Sequence, residues 1–248
     1  MLPARRVKMS QSSVRRPQFD AQEEIKKVIL ERGLRPGAAI PPETELMAAL
    51  GISRGSLREA LKGLQARGII EVQHGRGTFV AQPSLDPLVD ALTFRGRLDH
   101  RDADLTTASE LVDVRDILET ALVQQVARSA DATLLADLEQ TVSEMEAAAG
   151  RGEPFTDLDR RFHEQLYSSL GNSIVLQLVR AFWDVLDAVR PQLASGTSDP
   201  VADVAHHRVI VERIREGDPE GARKAMTEHF RATHVWIQGR RDSASGER

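Results

Sequence analysis

Between residues 20 and 81 the spacing of apolar side chains changes once, from the 3.6-residue period of helices to the two-residue alternation of strands. The change comes after three short helical stretches, which leaves few folds open. The first helix starts at Asp20, a capping residue with Glu23 three positions on, and runs through Ile25, Val28 and Ile29 to a stop at Gly33. Pro36-Gly37 turns the chain, and Pro41-Pro42 opens a second helix that buries Leu46 and Leu50 and breaks at Gly51. Ser53 caps a third helix with Leu57, Ala60, Leu61 and Leu64 at core spacing, ending at Gly68. Residues 69–73 and 78–80 then read as two strands around His74-Gly75-Arg76-Gly77. Three helices and a hairpin in about 65 residues outline a winged helix-turn-helix, spanning 18–82.

Behind it the pattern is all helical. Residues 83–104 read as a connector holding one short helix around 88–98. Helices are expected near 105–129, 131–148, 155–170, 173–194, 200–216 and 219–240, with Pro191 kinking or shortening the fourth. The expected class is mainly α: a winged head followed by an all-α antiparallel helical bundle over 105–240, with a flexible basic arm at 1–17 and a tail at 241–248.

Charge divides at the same place. Residues 1–82 carry 14 basic against 8 acidic side chains, or +6, and the remainder carries 19 against 29, or −10, which the overall −4 conceals. A cationic head joined to an anionic body points to a polyanion-binding module. The absence of cysteine excludes a disulfide framework, a thiolate metal site and a cysteine nucleophile. No apolar run approaches the roughly 20 residues that cross a bilayer, and the basic start lacks a signal-type apolar stretch. A soluble, cytoplasmic protein without membrane partners is expected.

The third helix has what groove reading needs. With its leucines inward, Arg54, Gly55, Ser56, Arg58 and Lys62 face outward, and Arg54 and Arg58 share a face. An Arg there can pair bidentately with guanine O6 and N7. His74 and Arg76, between glycines at the hairpin tip, suit a phosphate or minor-groove contact. Any one of these cations is most simply a solvated side chain; their order along the chain makes double-stranded DNA the expected partner.

Pro36-Gly37, Ile40-Pro41-Pro42-Glu43, Leu50-Gly51-Ile52-Ser53-Arg54, Leu57-Arg58-Glu59-Ala60-Leu61 and Gly75-Arg76-Gly77-Thr78-Phe79-Val80 resemble the DNA-binding domain of GntR-family transcriptional regulators, over about residues 19–81. The resemblance implies phosphate and base contacts at Glu43, Thr44, Ser53, Arg54, Ser56, Arg58, His74 and Gly75. Many members carry Arg where this chain has Thr44, so one familiar contact is weakened.

In the helical half, Asp159 and His163 are four residues apart and share a helix face with Phe162 and Leu166. His207 lies among Ile210, Val211 and Ile214, and His229 one turn after Met226. A carboxylate and three imidazoles from three helices would make a first shell for a divalent cation with open positions. A single His on an apolar face is more often a satisfied core residue, and spacing does not show convergence. His206 competes with His207, which is preferred because it shares the Ile210/Ile214 face.

Residues 86–240, with Glu110 to Arg115, Leu118-Glu119, Asp159 to His163, Gly171-Asn172 and Gly217-Asp218-Pro219, resemble the FCD ligand-binding domain of the FadR subfamily. The resemblance implies that Asp159, His163, His207 and His229 bind zinc or a similar ion, nickel or manganese included. Arg115 stands on an apolar stripe with Leu111, Leu118 and Leu122, where it either pairs with a buried acid or, as the resemblance implies, forks onto the carboxylate of a small organic-acid effector. Asn172 is read as a helix cap. A ligand-responsive regulator, a repressor by default, is the expected function, acting as a homodimer on a near-palindromic operator with half-sites about one helical turn apart.

The competing reading is a metal-dependent enzyme acting on a small carboxylate. It is weak: Tyr167 stands where a zincin helix starting at His163-Glu164 needs its second His, and neither a phosphate-binding loop nor a nucleophile elbow is present. Glu164 is its one conceivable general base.

Overall fold

A computed structural model describes residues 20–101, 105–189 and 200–246. Its elements are α1 (Ala21–Glu31), α2 (Glu43–Leu50), α3 (Arg54–Ala66), β1 (Ile70–Gln73), β2 (Gly77–Val80), α4 (Asp86–Arg101), α5 (Thr106–Ser129), α6 (Ala132–Gly150), α7 (Thr156–Ser168), α8 (Ser173–Val189), α9 (Pro200–Arg215) and α10 (Pro219–Gly246). Contacts divide the chain between Pro83 and Ser84.

The first unit is a three-helix head with an antiparallel hairpin. Asp20 Oδ1 accepts from Gln22 N at 2.9 Å and Ser53 Oγ from Ser56 N at 3.1 Å, so α1 and α3 start where their caps stand. Gly51, in left-handed conformation at φ +64°, ends α2 and leaves a two-residue link to α3. Ile25, Leu46, Leu57, Leu64 and Ile70 form the fully enclosed centre. Each such side chain contributes about 1.5–3 kcal/mol on burial. The hairpin pairs Ile70 with Val80 and Gln73 with Gly77, which leaves His74-Gly75-Arg76 as the loop.

The second unit is a helical bundle with α5 at its middle, packed by α4, α7, α8, α9 and α10. Its core joins Val123 and Val126 of α5 to Leu138, Met145, Phe162, Leu166, Val179, Ile210 and Phe230. Where α4 crosses α8, a Cβ on Gly96 would lie 2.8 Å from Val189 Cγ1, so this approach depends on the missing side chain.

Two expectations are corrected. The connector with a short helix at 88–98 is instead a 16-residue helix, Asp86–Arg101, packed on α8 and α5 as part of the second unit. Pro87 is tolerated because it stands in the first turn, where its missing N–H breaks no helical bond, and Val89 and Leu92 pack against the core. The last helix continues to Gly246, past the expected start of a tail at 241. Pro191 and the arm at 1–17 lie outside the described residues.

Candidate DNA-reading face and metal centre

On the head, every residue singled out for DNA is exposed: Glu43, Thr44, Ser53, Arg54, Ser56, Arg58, His74, Gly75 and Arg76. Packing of Leu57, Ala60, Leu61 and Leu64 rotates Arg54 and Arg58 outward. Arg54 has no ion-pair partner among the described residues, whereas Arg58 Nε lies 3.8 Å from Glu43 Oε2, a loose exposed pair that an approaching phosphate can displace. At the wing, Gly75 (φ +75°) and Gly77 (φ +116°) supply the backbone turn that side-chain-bearing residues resist. Arg76 lies over the Phe79 ring at 5.7 Å, which steadies the tip.

In the helical unit, α7 carries Asp159 and His163, α9 carries His207 and α10 carries His229, and one potential ligand atom from each lies within 4.8 Å of the others. His207 Nε2 is 3.0 Å and His163 Nε2 3.3 Å from the same oxygen, Asp159 Oδ1. The rings of His207 and His229 meet edge to face at 4.5 Å, and Phe162, Trp183 and Phe230 wall the cluster. His206 is half-exposed and lines a separate groove with Arg213 and Glu228.

The far side of each ring decides what the near side can do. His163 Nδ1 meets Glu119 Oε2 at 2.5 Å, and His207 Nδ1 meets the Asp203 carbonyl at 3.1 Å. Both acceptors take an N–H from Nδ1, so each ring turns its Nε2 toward the one Asp159 oxygen. Burial would lower the His163 pKa, but Glu119 and Asp159 outweigh it and raise it; a cation bound here displaces that proton. His163 Nε2 is fully buried with no well-formed hydrogen bond. Burial and the neighbouring His207 and His163 push the His229 pKa well below its usual value, which keeps that ring a neutral donor. Burial alone would raise the Asp159 carboxyl, but the two imidazoles hold it well below the usual carboxylate range. Three nitrogens and one carboxylate oxygen suit zinc or a neighbouring divalent transition metal.

Glu119 is the residue that sequence reasoning left without a role. It is fully buried, accepts from Arg115 Nε at 2.8 Å through Oε1 and holds His163 through Oε2. Burial raises its pKa, but Arg115 and then His163 outweigh that and hold it at about 2. A carboxylate behind a ligating His fixes the ring and strengthens its donor nitrogen. The available signal was a second charge four residues after Arg115 on one apolar stripe. Arg115 therefore has the buried acid partner as well as a free side: its Nη2 is buried without a hydrogen-bond partner among the described residues, and the guanidinium stacks 4.5 Å over Trp183 and 5.3 Å over Phe230. Glu164 is engaged by Arg160 and Arg180, each at 2.9 Å, so it is no free base. Asn172 Oδ1 caps α8 by accepting from Ile174 N at 3.1 Å.

Comparison with known proteins agrees with both halves. The family model "Bacterial regulatory proteins, gntR family" matches residues 18–80, and the FCD domain model matches 110–232. The HTH-type transcriptional repressor NanR of Cronobacter sakazakii is 27% identical over 88% of this chain and 84% of its own length. That of Edwardsiella tarda is 28% identical over 91% and 87%. Among solved structures, Streptococcus agalactiae GntR superposes with a TM-score of 0.60 at 28% identity, covering 87% of this chain and 97% of its own. The chain belongs to the GntR family of transcriptional regulators, with an FCD domain behind its DNA-binding head.

Proposed function

We propose that this ligand-responsive DNA-binding regulator is a repressor whose helical domain holds a divalent metal, zinc in first place, and senses a small organic acid beside it. Regulators of this family are not enzymes, and no described helix is long and apolar enough to cross a membrane. In this reading Arg54, Ser56 and Arg58 meet base edges and phosphates in the major groove, Glu43, Thr44 and Ser53 border them, and His74, Gly75 and Arg76 follow the backbone from the wing. A homodimer presents two such heads to a near-palindromic operator.

Asp159, His163, His207 and His229 are the metal ligands of this reading. The metal, when bound, supplies a Lewis-acidic position for an effector oxygen. Glu119 holds the His163 ring in its donating orientation, and Asp203 does the same for His207.

The observation that carries the effector half is the free Nη2 of Arg115. A buried donor left unsatisfied costs about 1–3 kcal/mol, more when charged. A carboxylate removes that cost and gains a charge-assisted bond, while Glu119 keeps Nε occupied. The effector must bind the two conformations of the regulator unequally to change operator affinity. The test is to recover duplex from a random pool with the full chain, then titrate short organic acids against the complex. Release by at least one acid, abolished by Arg115→Met, is expected. No sequence preference over random duplex at moderate salt would refute the regulator assignment, and release unaffected by Arg115→Met would refute the clamp.

A further inference from the structure

Arg115 is buried, and its surroundings restrict how an anion can meet it. Its Nε donates to Glu119 Oε1 at 2.8 Å, and the Trp183 and Phe230 rings cover the guanidinium at 4.5 and 5.3 Å. Nη2 is the nitrogen left without a partner among the described residues. The same two rings border the imidazoles: Trp183 stands 5.9 Å from the His163 ring and Phe230 5.2 Å from that of His229. One aromatic wall thus flanks both the free nitrogen and the metal cluster. An acid bound against that wall lies in a medium where an unbalanced charge is costly. Its charge, more than its size, decides whether it fits.

The charges around the site select its occupant. Among the described residues the buried charged or imidazole side chains are Arg115, Glu119, His163, His207 and His229, and the partly exposed Asp159 joins them. Arg115 and Glu119 form an ion pair, with side chains 6% and 0% exposed, and cancel each other. An imidazole that ligates a metal is neutral. A divalent ion set against the single negative charge of Asp159 therefore leaves one positive charge. Arg160, next to Asp159 in the chain, adds nothing, because it is engaged by Glu164 and Asp184. We propose that the effector is a monocarboxylate: one negative charge, met by Nη2 of Arg115, balances the site, and a second carboxylate finds no buried cation to pair with. The proposal rests on the effector reading above and narrows its chemical class. It also makes Glu119 the residue that sets the limit, since without its charge Arg115 would add a second positive one to the site.

The test is isothermal titration calorimetry on the full chain saturated with zinc, with butyrate, succinamate and succinate as probes. Succinamate and succinate share a shape and differ by one charge. Butyrate and succinamate bind the wild type about tenfold or more tighter than succinate, as an uncompensated charge near buried groups requires, and elemental analysis checks that no probe strips the zinc. Glu119→Gln, measured with zinc in excess, moves the succinate-to-succinamate ratio about tenfold toward succinate. A variant that merely loosens the fold would weaken both probes alike. Succinate binding the wild type as tightly as succinamate overturns the proposal, and that comparison needs no variant. If the acid that releases operator in the titration above carries two or more carboxylates, the proposal is overturned while the effector reading stands. Failure of all three probes, with no acid releasing operator, overturns both. An unchanged ratio in Glu119→Gln overturns the part assigned to Glu119.

Discussion

Replacing Glu119 by Gln keeps the side chain's shape and removes one buried negative charge. In the folded chain the carboxyl is held at about 2 against an ordinary 4.5, a depression of about 2.5 units, and at 1.36 kcal/mol per unit the charged form is worth about 3 kcal/mol to folding at neutral pH. An independent route gives the same scale: breaking a buried pair by removing one partner costs about 3–5 kcal/mol. Glu119→Gln leaves the buried Arg115 guanidinium without its counter-charge. For a unit of this size about 3 kcal/mol lowers the melting temperature by about 6–12 °C. Because the folded pKa lies below the unfolded one, the contribution is complete above about pH 4.5 and fades as pH falls toward 2; the variant should lack that acid limb. The assay is urea and thermal unfolding of the metal-free chain, wild type against variant, from pH 7 down to pH 3. A variant melting within a degree or two of wild type at pH 7 would refute the buried triad. Metal affinity should also fall by about 10–100-fold, the usual effect of losing the carboxylate behind a ligating His.

Further outcomes follow from the same geometry. Arg54→Ala should cost about 1–3 kcal/mol of discrimination at one base position if it pairs with guanine, read as a flattened preference in a competition assay across operator variants. Ser53→Ala removes the oxygen that accepts from Ser56 N, so the head should lose about 1 kcal/mol in denaturant unfolding even without DNA. Gly96→Ala drives a Cβ to 2.8 Å from Val189 Cγ1 and should destabilise the bundle by about 1–3 kcal/mol in urea unfolding, whereas Gly150→Ala, with nothing nearby, should not.

What the sequence disclosed and what it hid separate along the range of the interactions. α3 was legible because its cap and its 3.6-residue face are local: Ser53 bonds three residues on, and the leucines mark their own side. The i, i+4 relation of Asp159 and His163 is also local, and it was visible. The meeting of these two with His207 and His229 is tertiary, and helical spacing could nominate the residues without joining them. Glu119 lies four residues from Arg115 but 44 from His163, so the half of its role that touches the metal cluster had no local trace. α4 was underestimated because Pro87 and the Asp residues resemble a linker, while the contacts that make it a full helix come from α8 and α5.

The central claim is that the three imidazoles and Asp159 surround a cation rather than one another. Metal content per chain, measured by elemental analysis after dialysis against a mixture of divalent ions, tests it most directly. Wild-type protein should retain stoichiometric metal, and His163→Ala with His207→Ala should lose it while remaining folded. Metal-free wild-type protein, or a doubly substituted chain that keeps its ion, would contradict the account.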